Sequence, residues 1–311
     1  MRFSLILATI NRVNEPECLL HSLSAQVYDG AFEVIIIDQN PDDRLNGMVA
    51  RYQQYFPILH LRQDKPLLAR ARNQGIPHIR GAYVGFPDDD CVYEPDTLSK
   101  AARFFAHNPQ YAGIVGNVLE LDSDTEAMLM DKAPEPGIVD YDKAWGVVMT
   151  AAFFMRAEEL DDTRFDETIG PGTYWGCGED VDLLLRRMDA GARFYFDPSL
   201  IVRHPSPYGI YSTWQLVERY SRYGRGTGYL MAKRQFPLRA VIGSIMEPII
   251  KIGFFITRRR WKDLPSLPVA GFGRLIGYIG YHLESSKHSA ISPLSGKFSI
   301  KRSRNIQGNI G

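Results

Sequence analysis

Two rhythms of apolar and polar residues alternate along the first hundred positions. Phe3–Ala8 and the β-branched Phe32–Ile37 are continuous apolar runs, which suit strands covered on both faces. Ile58–Leu61 and Tyr83–Phe86 read as two shorter strands. Between them lie helical patterns. Asn14 is placed to cap a helix that has Pro16 in its first turn and runs to about Ala25; others are expected from Asp43 to about Gln54 and over Leu67–Ile79. Strand and helix in alternation predict an α/β fold with a mostly parallel central sheet flanked by helices.

The middle of the chain is less regular. Gly113–Leu121 and Gly146–Phe154 are read as strands, and the acidic stretch 122–143, with Pro134 and Pro136, as a surface excursion. A glycine-rich loop, Ile169 to Gly178, leads into Glu179-Asp180 and a helix over Val181–Ala190. Two short strands, Arg193–Phe196 and Leu200–Val202, precede His204.

Beyond about residue 205 the pattern changes again, which divides the chain into an α/β unit, 1–205, and a basic helical region with a polar tail, 206–311. Residues 214–235 read as a helix carrying Arg219, Arg222, Arg225, Lys233 and Arg234. From 237 to 283 apolar blocks alternate with charges, and Pro248, Pro265 and Pro268 interrupt them. A membrane-spanning helix needs about 18 or more largely apolar residues. No run here reaches that length without a charge, so amphipathic helices lying in the interface are expected, with Trp261 at headgroup depth.

Charge sharpens that division. The 311 residues hold 36 Lys/Arg and 36 Asp/Glu. Residues 201–311 hold 18 basic and 4 acidic residues, a net of +14, which the first 200 residues cancel. Such a split points the C-terminal third at an anionic partner. An anionic membrane surface is favoured over nucleic acid, because the apolar blocks are heavier than a nucleic-acid patch needs. The three cysteines, Cys18, Cys91 and Cys177, have neither disulfide nor metal-ligand spacing, and the short apolar run at the N-terminus reads as a first strand rather than a signal peptide. The cytoplasmic face of a bacterial inner membrane is the expected location.

Candidate chemistry collects where strands end, because open α/β sheets bind ligands beyond the carboxyl ends of their strands. Thr9, Asn11 and Arg12 follow the first strand, Asp38 closes the second, and Asp88-Asp89-Asp90 follows the fourth. Adjacent carboxylates repel one another, and a hard divalent cation, Mn²⁺ or Mg²⁺, relieves that repulsion while leaving coordination positions for phosphates. Arg70 or Arg72 can contact phosphate or the triplet. Glu179 and Asp180 stand in the first turn of a helix, where a carboxylate can act as general base on a sugar hydroxyl. Tyr174 and Trp175, with Gly176, can offer a platform to a sugar ring, or the two aromatics can pack into the core. Arg222 or Arg225 can reach a leaving diphosphate, and the His204 imidazole can ligate the metal.

These elements, in this order, resemble family 2 glycosyltransferases of the GT-A fold. The resemblance rests on LATINR at 7–12, EVIIIDQN at 33–40, ARARNQGI at 69–76, GAYVGFPDDDC at 81–91, GCGEDVDLLLR at 176–186 and the strand ending in His204, about two-thirds of the chain. It implies that Thr9, Asn11, Arg12 and Asp38 bind the nucleoside and that Arg70 or Arg72 supports the diphosphate site. It makes Asp88 and Asp90 the outer members of a DxD pair around Asp89, with Asp90 the direct metal ligand and His204 completing the metal or the diphosphate site. Asp180 becomes the catalytic base, and Glu179 positions the acceptor. Asp38-Gln39-Asn40 departs from the family's usual Asp-Asn/Asp-Gly/Ser, which bears on base contacts. The implied reaction is metal-dependent, inverting transfer from a nucleotide-sugar, with UDP as the expected nucleotide. The expected acceptor is a lipid-linked saccharide in bacterial surface polysaccharide synthesis. A sugar-nucleotide nucleotidyltransferase would want a glycine-rich phosphate loop after the first strand, where this chain has Thr9-Ile10-Asn11-Arg12. A non-catalytic sugar-binding scaffold would have no need of both acidic motifs.

Overall fold

A computed structural model describes residues 2–124, 134–205 and 211–291. Its first half follows the expected alternation: β1 (Phe3–Thr9), α1 (Asn14–Ser24), β2 (Phe32–Asp38), α2 (Asn46–Tyr52), β3 (Ile58–Arg62), α3 (Leu68–Gly75) and β4 (Tyr83–Gly85). After these come β5 (Val92–Tyr93), α4 (Thr97–His107), β6 (Gly113–Leu119), β7 (Gly137–Ile138), α5 (Tyr141–Val147), β8 (Phe153–Arg156), α6 (Glu179–Asp189) and β9 (Phe194–Arg203). Among the described residues they form one nine-stranded sheet of order β3-β2-β1-β4-β8-β6-β9-β5, with β7 added against β9.

The four strands of the first half are parallel to one another, while β8 runs antiparallel to both β4 and β6. The sheet is therefore parallel from β3 to β4 and mixed beyond. Side-chain alternation divides the core into two layers. Ile6, Ile35 and Ile37 point to one face with Ala71 of α3 and Leu184 of α6. Phe3, Leu5, Val34 and Ile36 point to the other with Leu19, Met48 and Leu98 of α1, α2 and α4.

Register aligns the strand ends. Thr9 pairs with Asp38, and Asp38 with Arg62, so three polar residues from three strands finish level on one edge. Asn11 completes the turn after β1 with φ +59, a left-handed conformation that asparagine tolerates, and its backbone N–H donates to Asn40 Oδ1 at 2.6 Å.

Two sequence-based assignments change. Gly146–Phe154 is not one strand: α5 is capped by the Asp140 carboxylate, which accepts from the Lys143 N–H, and a single 3₁₀ turn at Thr150–Ala152 leads into β8. A short apolar run fits a buried helix as well as a strand, and here Ala144 and Val147 are the buried face of a helix. The two strands expected at 193–202 are one, β9, interrupted where the register against β6 jumps from Gly116–Asp197 to Asn117–Ile201. The acidic excursion lies outside the described residues from 125 to 133, and the polar tail from 292 onward.

The C-terminal region is helical: α7 (Thr213–Lys233), α8 (Leu238–Ile250), α9 (Ile252–Thr257) and α10 (Ser266–Ile291). Helices α7 and α10 cross at glycines, since a β-carbon on Gly228 would lie 1.8 Å from the Arg274 carbonyl oxygen and one on Gly277 2.0 Å from that of Arg225. On the outer side Leu238, Ile242 and Ile250 of α8 and Phe272, Ile279 and Leu283 of α10 remain exposed. Among the described residues Leu238–Thr257, of mean hydropathy 1.6, is long and apolar enough to cross a membrane, although it contains Arg239, Glu247 and Lys251.

Candidate active site

Pro87 ends the fourth strand and turns the chain so that the three aspartates diverge. Asp89 accepts from the Thr9 hydroxyl and from Arg12, each at 2.6 Å. The same Arg12 nitrogen is 2.6 Å from Asp90, so one guanidinium holds two carboxylates. Asp90 also lies 3.1 Å from His204 Nε2, and Asp88 stands 3.9 Å from that nitrogen. Burial raises the Asp89 carboxyl to about 6 against the opposing charge of Arg12. Asp90 is equally pushed up by burial, but His204 and Arg12 outweigh this and bring it down to about 2.

Behind the triplet runs a buried cation. Arg72 of α3 is 2% exposed. Its Nη2 donates to Asp88 at 3.0 Å and to the Thr150 hydroxyl at 2.7 Å, and its Nη1 donates to Glu179 at 2.9 Å. A rigid fork of donors suits this bridging role. Three segments distant in sequence, residues 72, 88 and 179, are thereby locked into one crevice. Arg70 points elsewhere and pairs with Glu167 at 2.8 Å, so the structure settles which arginine meets the triplet.

Gly178 introduces α6. Its φ of +99 is left-handed, which favours glycine, and the chain there turns directly into α6. Glu179 is 5% exposed and Asp180 is half-buried. Burial, then the neighbouring Asp180 charge, raises the Glu179 carboxyl in spite of Arg72, and burial raises Asp180 too. One Asp180 oxygen accepts the N–H of Val181 at 2.8 Å.

Beyond the ends of β1, β2 and β3 opens a cleft of about 560 Å³, lined by Ile10, Gln39, Asn40, Arg62, Gln63 and Pro66 among others. Asp38 sits beneath it, fully buried, accepting from the Asn40 backbone and side chain at 2.9 and 2.7 Å, with His60 at 3.0 Å and Arg62 at 3.3 Å. It anchors the cleft floor rather than projecting into it. Arg62 and Gln63 were not singled out in the sequence, although the strand-end rule that marked Asp38 applies equally to them.

Two other expectations need correction. Trp175 is not a free platform: it is 8% exposed, stacked on Tyr229 at 4.5 Å, because α7 and α10 close over it. Tyr174 is 60% exposed, but its ring lies 4.3 Å from the Arg225 guanidinium. Arg225 is spent on that residue, donating also to its carbonyl and to Ser221. Gly176 packs against the backbone of Arg222, whose side chain is half exposed with Glu218 at 3.9 Å.

As ligands for a divalent cation, Asp90 and His204 present two converging donors, with Asp88 adjacent. Among the described residues no three His, Cys, Asp or Glu side chains form a ready-made ligand set. That arrangement suits a hard cation that takes its remaining ligands from water and phosphate.

The family profile described as Glycosyl transferase family 2 matches residues 4–165, just over half of the chain and the part that carries the cleft, Arg72 and the triplet. The chain belongs to glycosyl transferase family 2. It is similar to glycosyltransferase AglE of Haloferax volcanii, 23% identical over 259 residues that cover 81% of this chain and 80% of that protein. Among solved structures, S. aureus TarS residues 1–349 in complex with UDP-GlcNAc has a TM-score of 0.56 at 19% identity, covering 93% of this chain and 92% of that one. Against the longer TarS chain the match spans only 55% of its length. The mannosyltransferase PcManGT of Pyrobaculum calidifontis, in complex with GDP-Man and Mn²⁺, has a TM-score of 0.58 at 18% identity and covers 93% and 79%. These likenesses establish the GT-A fold, and family membership makes this glycosyltransferase an enzyme rather than a scaffold.

Proposed function

We propose that this glycosyltransferase moves a sugar from a nucleoside-diphosphate donor, UDP-linked, to a hydroxyl of a lipid-linked saccharide, inverting the anomeric centre. The observation that carries this reading is the Arg72 bridge, which ties Asp88 of the acidic triplet to Glu179 of the Glu179–Asp180 turn. The nucleoside would occupy the cleft at the ends of β1–β3, with Thr9, Asn11 and Arg12 at its border and Asp38 acting through Asn40 and Arg62. A Mn²⁺ or Mg²⁺ ion held by Asp90, His204 and Asp88 would neutralise charge developing on the leaving diphosphate. Asp180 would take the proton of the acceptor hydroxyl as its oxygen bonds to the anomeric carbon, while the bond from that carbon to the phosphate oxygen breaks on the opposite side. Glu179, tied to Arg72, would hold the acceptor side of the crevice in place. The UDP-GlcNAc bound to TarS and the GDP-Man and Mn²⁺ bound to PcManGT favour a nucleotide-sugar and a divalent cation.

The exposed apolar residues of α8 and α10, with Arg258, Arg259, Arg260 and Lys262 beside Trp261, support docking on an anionic membrane surface. An enzyme docked in this way would act on the cytoplasmic face of a bacterial inner membrane, in surface polysaccharide assembly. The reading is tested by a thermal-shift screen of nucleoside diphosphates and their sugars with and without Mn²⁺. A uridine nucleotide stabilising the protein only with the metal is expected, and equal stabilisation after chelation would remove the metal from the account. Sedimentation with anionic and neutral vesicles checks the docking surface: pelleting with anionic vesicles at low salt is expected, and a protein left in the supernatant contradicts it.

A further inference from the structure

Helix α7 does more than pack against α10. One of its faces closes on the turn before the catalytic helix: Leu230 approaches Gly178, Gly226 presses on Cys177, and Arg222 lies against Gly176. At Gly226 a β-carbon would stand 2.4 Å from the Cys177 carbonyl oxygen, so helix and turn are in direct backbone contact. The Cys177 thiol reaches the Tyr223 carbonyl at 3.1 Å. Residues three and four apart share a helix face, and seven residues advance about 10 Å along the axis. Arg219, Arg222 and Tyr223 thus continue the face that covers the catalytic turn and overhang its edge.

The chemistry of that overhang is cationic and aromatic. Arg219 stacks its guanidinium 4.4 Å above the Tyr223 ring and 5.8 Å from that of Tyr211. Tyr223 is 37% exposed. Burial of its phenol end raises the hydroxyl, with Arg219 opposing and Cys177, Glu179 and Asp88 adding to the rise. Among the described residues Arg222, half exposed, makes a loose pair with Glu218 at 3.9 Å. Through α10, the same helical unit carries the exposed apolar residues Phe272, Ile279 and Leu283.

We propose that Arg219, Arg222 and Tyr223 bind a phosphate group carried by the acceptor. The proposal rests on the glycosyltransferase reading above and specifies its acceptor. Two guanidinium groups and a phenol suit phosphate oxygens, which arginine recognises through paired N–H donors. In the reading above the donor's diphosphate is held at the triplet, which Arg72 ties to Glu179, so Arg222, also a candidate for that diphosphate, is reassigned here to the acceptor. A phosphate at the junction of polar chain and lipid tail would lie between the crevice and the apolar face. A phosphate within a polymeric acceptor offers the same chemistry without the tail.

The test uses the full chain in dodecyl maltoside and measures binding of farnesyl phosphate, farnesol and glycerol 3-phosphate, with UDP plus Mn²⁺ in parallel. The wild type is compared with Arg219→Gln/Arg222→Gln, Tyr223→Phe and Arg222→Lys, each first checked for an unchanged melting temperature. Farnesyl phosphate is expected to bind at least tenfold more tightly than farnesol. The double glutamine variant should lose that margin, Arg222→Lys should keep part of it, and UDP affinity should change less than threefold. Glycerol 3-phosphate matching farnesyl phosphate supports a polymer phosphate as the source, whereas a much weaker response supports a lipid phosphate. A margin that survives the double substitution, or that is absent from the wild type, overturns the proposal. So does a tenfold loss of UDP affinity with the phosphate margin intact, which would assign these cations to the donor. A wild type that binds no nucleotide contradicts the donor reading separately, and the phosphate comparison still decides this one.

Discussion

Arg72 offers the sharpest perturbation, because one buried side chain joins both acidic elements. Arg72→Met removes donors from Glu179 at 2.9 Å and Asp88 at 3.0 Å and leaves the Thr150 hydroxyl without its 2.7 Å partner. Two hydrogen bonds to charged groups are worth about 1.5–3 kcal/mol each. Breaking a buried ion pair from one side typically costs about 3–5 kcal/mol, and the two figures agree. At about 2–4 °C per kcal/mol for a large domain, the melting temperature should fall by about 6–20 °C. Catalysis should suffer more than stability alone explains, since Arg72 opposes the upward shift of the Glu179 carboxyl. Arg72→Lys restores a charge but cannot fork between Glu179 and Asp88, so an intermediate melting temperature and poor recovery of turnover are expected. Thermal unfolding by circular dichroism, with transfer measured well below each midpoint, separates the two effects. A methionine variant melting within about 2 °C of wild type would refute the reasoning, since it would give the buried bridge almost no net worth.

Other consequences follow from the same geometry. The raised Glu179–Asp180 pair should place the acid limb of the rate profile above the ordinary carboxylate range of about 4, because the base must be ionised. Activity is therefore lost as pH falls through the raised values, and a limb near 4 in steady-state profiles would contradict the burial argument. Stability carries the opposite sign: between the unfolded and folded values the native pair holds more protons, so its contribution weakens as pH rises. Gly226→Val should displace α7 from the Cys177 backbone and depress turnover with little change in donor affinity, because the cleft proposed for the nucleoside is lined by residues that follow β1, β2 and β3. Stopped-assay kinetics with parallel nucleotide titration check this, and unaltered turnover would show that α7 does not hold the catalytic turn.

The legible parts of the protein were those fixed by local pattern. Strand ends marked Thr9, Asp38 and the triplet, and Glu179-Asp180 was visible as two carboxylates opening a helix. Partner choice was not visible. Arg70 and Arg72 are equivalent in sequence, and only burial of Ala69, Ala71 and Arg72 on one side of α3 decides which guanidinium faces inward. Thr150 looked like part of a strand, and its hydroxyl reaches the site because a single 3₁₀ turn places it there. Trp175 shows the same limit from the other side, since an aromatic beside an active-site loop joins the core once α7 and α10 cover it.

The central claim is that Asp180 is the base of a glycosyl transfer whose donor is held at the aspartate triplet. Asp180→Asn keeps size and hydrogen-bonding capacity but cannot accept the acceptor's proton, and general-base catalysis is worth about 10²–10⁴ in rate. Single-turnover transfer with the cognate donor, measured beside donor binding on the same preparation, tests it directly. The account predicts donor affinity within about threefold of wild type and transfer reduced by at least about a hundredfold. Near-normal transfer by the asparagine variant, with donor binding intact, would contradict it.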